Sequence, residues 1–130
     1  MLDPLGPGGD RHYRPAVFDH ATDRPVGGPP CVAPDGAVLV FDGVFLLRPE
    51  LRDQWDLSIF LDVTEDETLR RALVRDAEPM GGPDAVRERY RRRYLPAQRL
   101  YRADAHPERT ADVLIRNDRP DAPVVLRWPG

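Results

Sequence analysis

DLSIFLDVTEDETLRRALVRDA, residues 56–77, joins the pattern of a buried strand directly to the pattern of a helix. Its first eight residues are a short, mostly apolar run that ends near the acid Asp62, which is typical of a strand. Thr64 is a favourable helix N-cap, and the three acids after it lie where the helix dipole favours negative charge. The stretch therefore predicts a strand followed at once by a helix. The inner face of that helix is predicted to contain Leu69, Ala72 and Leu73.

Two further apolar runs predict strands that would share a sheet with this one. AVLVFDG, residues 37–43, is a continuous apolar run that places the carboxylate of Asp42 at its C-terminal end. ADVLIRND, residues 111–118, predicts a third strand, and a short terminal strand is predicted over residues 123–128. Because these runs alternate with helical patterns, the sequence predicts an α/β domain with a largely parallel sheet.

A second, strongly basic helix is predicted from Asp84 onward, after the breaker PMGGP at residues 79–83. Apolar and aromatic side chains recur along it at helical spacing. Pro96 lies inside this pattern and should kink or restart the helix, because proline lacks the N–H that the hydrogen-bond ladder needs. The predicted apolar stripe consists of Val86, Tyr90, Tyr94, Ala97 and Tyr101.

Composition narrows the class of protein. The chain has 130 residues and a formal net charge of −3, which suits one domain and argues against a general polyanion binder. No apolar run approaches the roughly 20 residues that span a bilayer, and the N-terminus lacks a signal pattern, so we expect a cytoplasmic protein without a membrane partner. Cys31 is the one cysteine and has neither a disulfide partner nor a metal motif around it. All 19 basic residues are arginine, and the chain contains no lysine.

The order of these segments resembles the C-terminal part of the uridine kinase family, whose members are P-loop enzymes that transfer a phosphoryl group from ATP to a nucleoside hydroxyl. The resemblance spans residues 13 to 118 and rests on an ordered set of segments rather than on a single motif. It implies an α/β fold with a partial P-loop NTPase-type parallel sheet and flanking helices, which lacks the N-terminal strand and the P-loop. The matching segments are FDGVFLL, WDLSIFLDV, TLRRALVRD, RYLPAQRLY and ADVLI.

The resemblance implies that the chain is a single incomplete kinase-like domain, residues 1–130, with four parts. These parts are an acceptor-side loop segment (1–36), core strands (37–63), lid helices (64–103) and a C-terminal strand region (104–130).

For Asp42 the resemblance implies a place near the magnesium ion of a nucleotide site, at the end of a core strand. Mg²⁺ is a hard cation that prefers carboxylate ligands and keeps several waters, so an acid at this place is chemically reasonable. Mg²⁺ and ATP are therefore implied by the resemblance alone. The structural alternative is that Asp42 only caps the strand or begins a turn with Gly43.

Arg71 and Arg75 are similar to the first arginines of the family's lid, which reach the ATP phosphates. The planar, permanently charged guanidinium suits that contact. The alternative is a solvated helix face, on which Glu67 and Arg71 support the helix as an i,i+4 pair. The chain departs from the family after Asp76, where Met80-Gly81 replaces an arginine-glycine pair, and this leaves the more distant lid contact without a matching residue.

YRPAVFDHATDR, residues 13–24, resembles the family's nucleoside-side segment. Phe18, Asp19 and Arg24 match that segment in residue type, although the spacing is one residue shorter and the family's later histidine is not in place. The resemblance implies that these three residues bind a small nucleoside-like acceptor. A loop held by local bonds from aspartate to the backbone is the alternative.

The phosphate-binding loop of the family is missing from this chain. A P-loop reads G-x-x-x-x-G-K-[ST], and no such pattern occurs; the glycine cluster LGPGG lacks the lysine. The family's catalytic carboxylate would lie in the same missing region, so no catalytic residue is assigned. In the family sheet the strand that leads into the P-loop lies between the strands matched by VLVFD and SIFLD. Its absence leaves these two strands unpaired on their facing edges, which invites association with another chain, or forces them to pair directly. Met1 lies within LDPLGPGG, which is typical of an interior linker, so we interpret the chain as a fragment that results from a late-assigned start, a truncated gene or a split protein.

Three functions follow from these observations. The first is a nucleoside kinase-like phosphotransferase in its complete form, with this chain alone predicted to be inactive. The second is a non-catalytic remnant or partner-dependent fragment. The third, and least favoured, is nucleic-acid binding through the arginine cluster at residues 87–94, whose tyrosines fit a buried helix stripe better than a base-stacking surface.

Overall fold

Two units make up the chain, Met1–Gly43 and Val44–Gly130. The second unit is a mixed α/β structure in which strands and helices alternate, and this much of the predicted fold class is confirmed. Of the helices in the part of the chain that is described, none is long and apolar enough to cross a membrane. The computed structural model describes residues 3–6, 8–16, 18–19 and 22–130.

Short antiparallel strand pairs make up the first unit. Its elements are a 3₁₀ turn at Asp3–Leu5 and four two-residue strands: β1 (His12–Tyr13), β2 (Phe18–Asp19), β3 (Arg24–Pro25) and β4 (Cys31–Val32). β1 pairs with β4, and β2 pairs with β3. Frequent prolines and glycines limit the strands to this length, because proline removes ladder donors and glycine favours turns.

The prediction of a buried strand over residues 37–43 is wrong. No strand forms there, and Val38 and Val40 are 86% and 87% exposed. The run has the composition of a strand, but a strand also needs a neighbour to pair with its backbone, and no described strand takes that place. The core strands predicted for residues 37–63 are therefore reduced to the later part of that range.

The second unit contains all the longer elements. Its helices are α1 (Pro49–Arg52), α2 (Glu65–Arg75), α3 (Ala77–Met80), α4 (Pro83–Arg89), α5 (Leu95–Ala105) and α6 (Pro107–Thr110), and a π-helical turn spans Tyr90–Tyr94. Its strands are β5 (Ile59–Asp62), β6 (Val113–Arg116) and β7 (Val124–Arg127).

The sheet of the second unit is mixed rather than largely parallel. Its order is β5-β6-β7, with β5 and β6 parallel and β6 and β7 antiparallel. Ile59 pairs with Val113 and Asp62 with Arg116, so the two parallel strands end side by side. The helices α2 to α6 form the connection between β5 and β6, as a parallel pair requires a long crossover.

The helical part packs around a small apolar cluster. Helix α2 begins after Thr64, whose side chain accepts a hydrogen bond from the Glu67 N–H, and this confirms the predicted N-cap. The predicted inner face of α2 is also confirmed, because its residues all belong to the cluster. The cluster consists of buried Ala72, Val86, Tyr90 and Leu95, with Leu69, Leu73 and Met80 packed against them.

Pro96 interrupts the long basic helix as predicted, and it does so through the π-helical turn that precedes it. The Leu95 N–H donates to the Tyr90 carbonyl five residues earlier, which is the hydrogen bond of a π turn. The extra residue in that turn shifts the phase of the helix. Leu95 is therefore buried in the core, whereas Tyr94, which was predicted to lie in the apolar stripe, is 37% exposed.

We expect Val86→Ala to lower the free energy of unfolding by about 2 kcal/mol, because Val86 is fully buried in the cluster and its removal leaves a cavity. Val74→Ala on the exposed side of α2 is the matched control and should change stability by less than about 0.5 kcal/mol. Urea unfolding followed by circular dichroism measures both. Equal losses in the two variants would contradict the packing described.

Candidate functional site

The carboxyl ends of β5 and β6 are the candidate functional site of the second unit. In α/β proteins ligands bind outside the carboxyl ends of parallel strands, where loops and helix N-termini converge. Here Asp62 closes β5, α2 begins three residues later, and Asn117 and Asp118 follow β6. The parallel register brings these groups to one edge of the sheet.

Asp118 ties the two strand ends together. Its Oδ1 accepts hydrogen bonds from the N–H and the hydroxyl of Thr64, each at 2.9 Å. These bonds lower the pKa of Asp118 below its ordinary value, because they stabilise the charged carboxylate. Thr64 thus caps α2 with its side chain and is itself held by the residue that follows β6. No local pattern of residues predicts this contact, because the two residues are 54 positions apart.

Arg71, predicted to contact ATP phosphates, is engaged with its own chain. Its Nε lies 2.7 Å from Glu67 Oε1, and its Nη2 donates to the Asn117 carbonyl. Arg70 holds the same carboxylate, with its Nε 2.6 Å from Glu67 Oε2. Hydrogen bonds from Arg70 and then Arg71 lower the pKa of Glu67 to about 2. The predicted i,i+4 support of the helix is therefore present.

Arg102 on α5 is the principal residue at this edge that sequence reasoning missed. Its Nη2 donates to Asp62 Oδ1 at 2.8 Å, and its Nη1 donates to Glu108 on α6. Its guanidinium also lies 5.3 Å from the centre of the Phe60 ring, within range of a cation–π contact. An arginine in an amphipathic helix is common, and no local pattern predicts that Arg102 contacts a strand end 40 residues earlier.

Arg75, the second predicted lid residue, belongs to a different cluster. Its Nε lies 2.6 Å from Asp76 Oδ1, and the Tyr90 hydroxyl lies 3.0 Å from Asp76 Oδ2. The Arg75 guanidinium lowers the pKa of the buried Asp76 carboxyl, whereas burial raises the pKa of Tyr90. Although Arg75 is largely exposed, its donors neutralise an acid in the helical core.

The predicted magnesium ligand Asp42 lies outside the strands and helices. Asp42 is exposed in the irregular segment at the end of the first unit. Among the described residues no group of three or more His, Cys, Asp or Glu side chains is arranged to hold a metal ion. Mg²⁺ at a nucleotide site is usually held by one or two carboxylates together with waters and substrate phosphates, so a single acid can serve there and the role of Asp42 stays a prediction. The ATP contact of Arg71 and Arg75 also stays a prediction, and both side chains are bound to acids of this chain.

The predicted acceptor-binding residues lie on the β2–β3 hairpin. Asp19 is opposite Arg24 in the antiparallel register, and Asp19 Oδ2 accepts a hydrogen bond from the Thr22 hydroxyl at 2.8 Å. The backbone pairing therefore places Asp19 opposite Arg24, and the bond from Thr22 joins two side chains. The acceptor-binding role of these residues stays a prediction. Phe18 is placed by its backbone in β2, and its side chain lies outside what the structure describes. His20 lies outside the described residues as well.

Comparison of the chain with protein-family models, with curated proteins and with solved structures gave no match.

Tyr90→Phe is expected to lower the free energy of unfolding by about 1.5 kcal/mol, because it removes a hydrogen bond to a buried, charged carboxylate. Tyr94→Phe is the matched control. The Tyr94 ring packs edge-on against the Tyr90 ring, with the ring centres 4.9 Å apart, but Tyr94 is more exposed than Tyr90. It should stay within about 0.5 kcal/mol of the parent chain. Thermal and urea unfolding measure the difference, and a Tyr94→Phe effect as large as that of Tyr90→Phe would count against the cluster.

Proposed function

We propose that this chain carries the acceptor-side and lid parts of a uridine kinase-like phosphotransferase, which in complete form moves a phosphoryl group from ATP to a nucleoside or a similar small hydroxyl compound. The observation that supports the proposal most is the agreement of the segment order with the strand–helix–strand arrangement of the second unit. There SIFLD forms a strand, the lid-like residues follow on α2, and ADVLI returns as the parallel neighbour.

The same chain by itself is proposed to transfer no phosphoryl group. It has no P-loop sequence and no lysine, so nothing in it supplies the backbone cradle and the ammonium that hold ATP phosphates. In the described part of the chain Asp42 belongs to no group of three or more His, Cys, Asp or Glu side chains that could hold a metal ion. Arg71 and Arg75 would have to leave Glu67 and Asp76 before they could contact a nucleotide.

The α2 N-terminus adds a further electrostatic reason. A helix N-terminus attracts anions, and P-loop enzymes use one to bind phosphate. In α2 that position is already occupied by the acidic side chains of its first turn. One of these, Glu65, accepts a hydrogen bond through Oε1 from Arg99 Nε at 2.6 Å. An incoming phosphate would meet negative charge there, so the phosphate site of a complete enzyme must be built elsewhere.

A partner-dependent, non-catalytic fragment is the second candidate. The observation that favours it is the exposure of strand-forming residues: Ile59 and Leu61 on β5 are 53% and 52% exposed, and the 37–41 run has no sheet. Nucleic-acid binding through residues 87–94 is favoured less, because two arginines of that cluster are paired with acids. These are Arg87 with Asp84 and Arg92 with Glu88.

Purified chain incubated with ATP, Mg²⁺ and a panel of nucleosides should show no phosphorylated product above the no-protein control. The physical reason is that phosphoryl transfer depends on positioning and charge neutralisation by a P-loop and metal ions. Product detection by mass spectrometry and ADP release measure the outcome. Turnover by this chain, abolished on heat denaturation, would contradict the proposal that it is inactive alone.

The DNA immediately 5′ of the Met1 codon tests whether the chain belongs to the kinase family. We expect an open reading frame that continues upstream and encodes a strand followed by G-x-x-x-x-G-K-[ST]. In the protein of that longer frame, Asp42→Asn should lower kcat by about 100-fold or more, as expected for loss of a metal-site acid. Exposed Asp53→Asn is the matched control and should leave kcat unchanged. A stop codon directly upstream with no such motif would remove the support for the kinase proposal.

A further inference from the structure

The outer edge of β5 presents unpaired backbone groups. On the inner side, the carbonyls of Ser58 and Asp62 accept hydrogen bonds from the Val113 and Asn117 N–H groups of the β6 segment, at 3.0 and 2.8 Å. Because successive residues of a strand point their N–H and C=O groups to opposite sides, those of Ile59 and Leu61 point away from β6. No strand in the described part of the chain pairs with that side.

This edge also lacks the features by which proteins protect an edge strand. Residues 57–61 contain no proline and no bulge, and Ile59 and Leu61 are apolar and half exposed. The one charged residue of β5, Asp62, is paired with Arg102. The opposite edge of the sheet differs in its flanking proline and its register shift. Strand β7 follows Pro123, contains Arg127 and pairs with β6 through a register shift. An added strand is therefore expected at β5 and not at β7.

We propose that the β5 edge binds the β5 edge of a second copy of this chain, in antiparallel orientation, and joins two three-stranded sheets into one of six strands. Both partners are already formed strands, so pairing does not have to fix the backbone of a new segment in the extended form. The 37–41 run, the other apolar stretch with strand composition, is irregular and would first have to become a strand. This preformed state favours β5 as the occupant.

Charge selects one register of this pairing. With Phe60 opposite Phe60 of the second copy, Ile59 faces Leu61 of that copy and Asp62 faces Ser58 of that copy. A shift by one residue pair towards the N-terminus would bring Asp62 opposite Asp56 of the second copy, and like charges directly opposite destabilise a sheet. A shift the other way would place Phe60 opposite an aspartate. The register centred on Phe60 avoids both arrangements and pairs apolar side chains on both faces.

The interface is small, and its affinity should be correspondingly low. A standard protein interface buries about 800 Å² of surface on each partner, and two paired strands of this length bury less. We therefore expect a dissociation constant on the order of 100 µM. This inference concerns the chain as it stands and does not rest on the proposed kinase function. Its test contains no nucleotide, so either proposal can fail without the other.

Sedimentation velocity from about 1 µM to about 1 mM brackets that affinity and should show a concentration-dependent species of twice 14.7 kDa. Leu61→Pro removes an outward N–H without touching the bonds to β6, and it should raise the dissociation constant at least about tenfold. Leu61→Ala keeps that N–H and is the matched control, with a smaller rise. Circular dichroism must show that Leu61→Pro is folded. A parent chain that is monomeric throughout would overturn the proposal.

Disulfide formation between single-cysteine variants reports the register of the two β5 strands. It also tests the proposal if Leu61→Pro fails to fold. In a Cys31→Ser background, Phe60→Cys should form a disulfide-linked dimer fastest under oxidised glutathione, because a central non-hydrogen-bonded pair has its Cα atoms about 4.5 Å apart. Ile59→Cys and Leu61→Cys would lie about 8 Å from their own copies and should react at least about tenfold more slowly. Faster reaction at either of these would overturn the proposed register.

A last variant separates the two candidate occupants. Val40→Lys places a charge in the exposed 37–41 run and should leave the dissociation constant within about twofold of the parent value, since substitutions at exposed positions have small effects. Loss of the dimer in Val40→Lys would overturn the pairing of β5 with β5 and identify the 37–41 run as the strand that docks on the edge.

Discussion

Arg102 is the side chain that joins strand β5 to helices α5 and α6 of the second unit. It reaches from α5 to Asp62 at the end of β5 and to Glu108 on α6, and it covers the Phe60 ring between them. Only arginine can make these contacts together, because its planar fork carries donors in several directions while its face lies on an aromatic ring. One immobilised side chain serves two ion pairs, so the second pair costs little additional conformational entropy. Since all three charged groups remain about one-third exposed, each pair is worth about 1 kcal/mol or less. The contribution of Arg102 is therefore mainly to geometry.

The same pairing of arginines with acids engages the two arginines that the kinase proposal assigns to ATP. Hydrogen bonds from Arg70 and Arg71 lower the pKa of Glu67, and a hydrogen bond from Arg75 lowers the pKa of Asp76. An arginine held in this way can bind a phosphate only if the phosphate replaces its present partner. The exchange is favourable when a metal ion or a second cationic group binds the phosphate at the same time. Among the described residues no group of three or more His, Cys, Asp or Glu side chains is arranged to hold a metal ion, and the chain contains no lysine. The kinase proposal thus depends on parts that this chain does not contain.

Local signals predicted a large share of the second unit and little of its tertiary contacts. The Thr64 cap, the inner face of α2 and the strands at Ile59–Asp62 and Val113–Arg116 all follow from residue type and spacing over a few positions. The π-helical turn could not be located in this way. Its extra residue changes the helical phase, and Leu95 rather than Tyr94 becomes buried. The contacts of Arg102 with Asp62 and of Asp118 with Thr64 join residues 40 and 54 positions apart. The hydrophobic periods of a strand (two residues) and of a helix (3.6 residues) do not predict such contacts.

The contrast between residues 37–41 and 59–62 shows why strand prediction fails where helix prediction succeeds. AVLVF is at least as rich in β-branched and apolar residues as IFLD, yet only IFLD forms a strand. A helix satisfies its backbone within its own segment, whereas a strand satisfies its backbone only through a neighbour. IFLD has β6 as that neighbour, and AVLVF has none among the described strands. Composition therefore shows whether a segment can form a strand, and it forms one only where a neighbouring strand is present to pair with its backbone. By the same argument the half-paired β5 keeps one unused side, and this side is the property of the fold that most directly predicts an association.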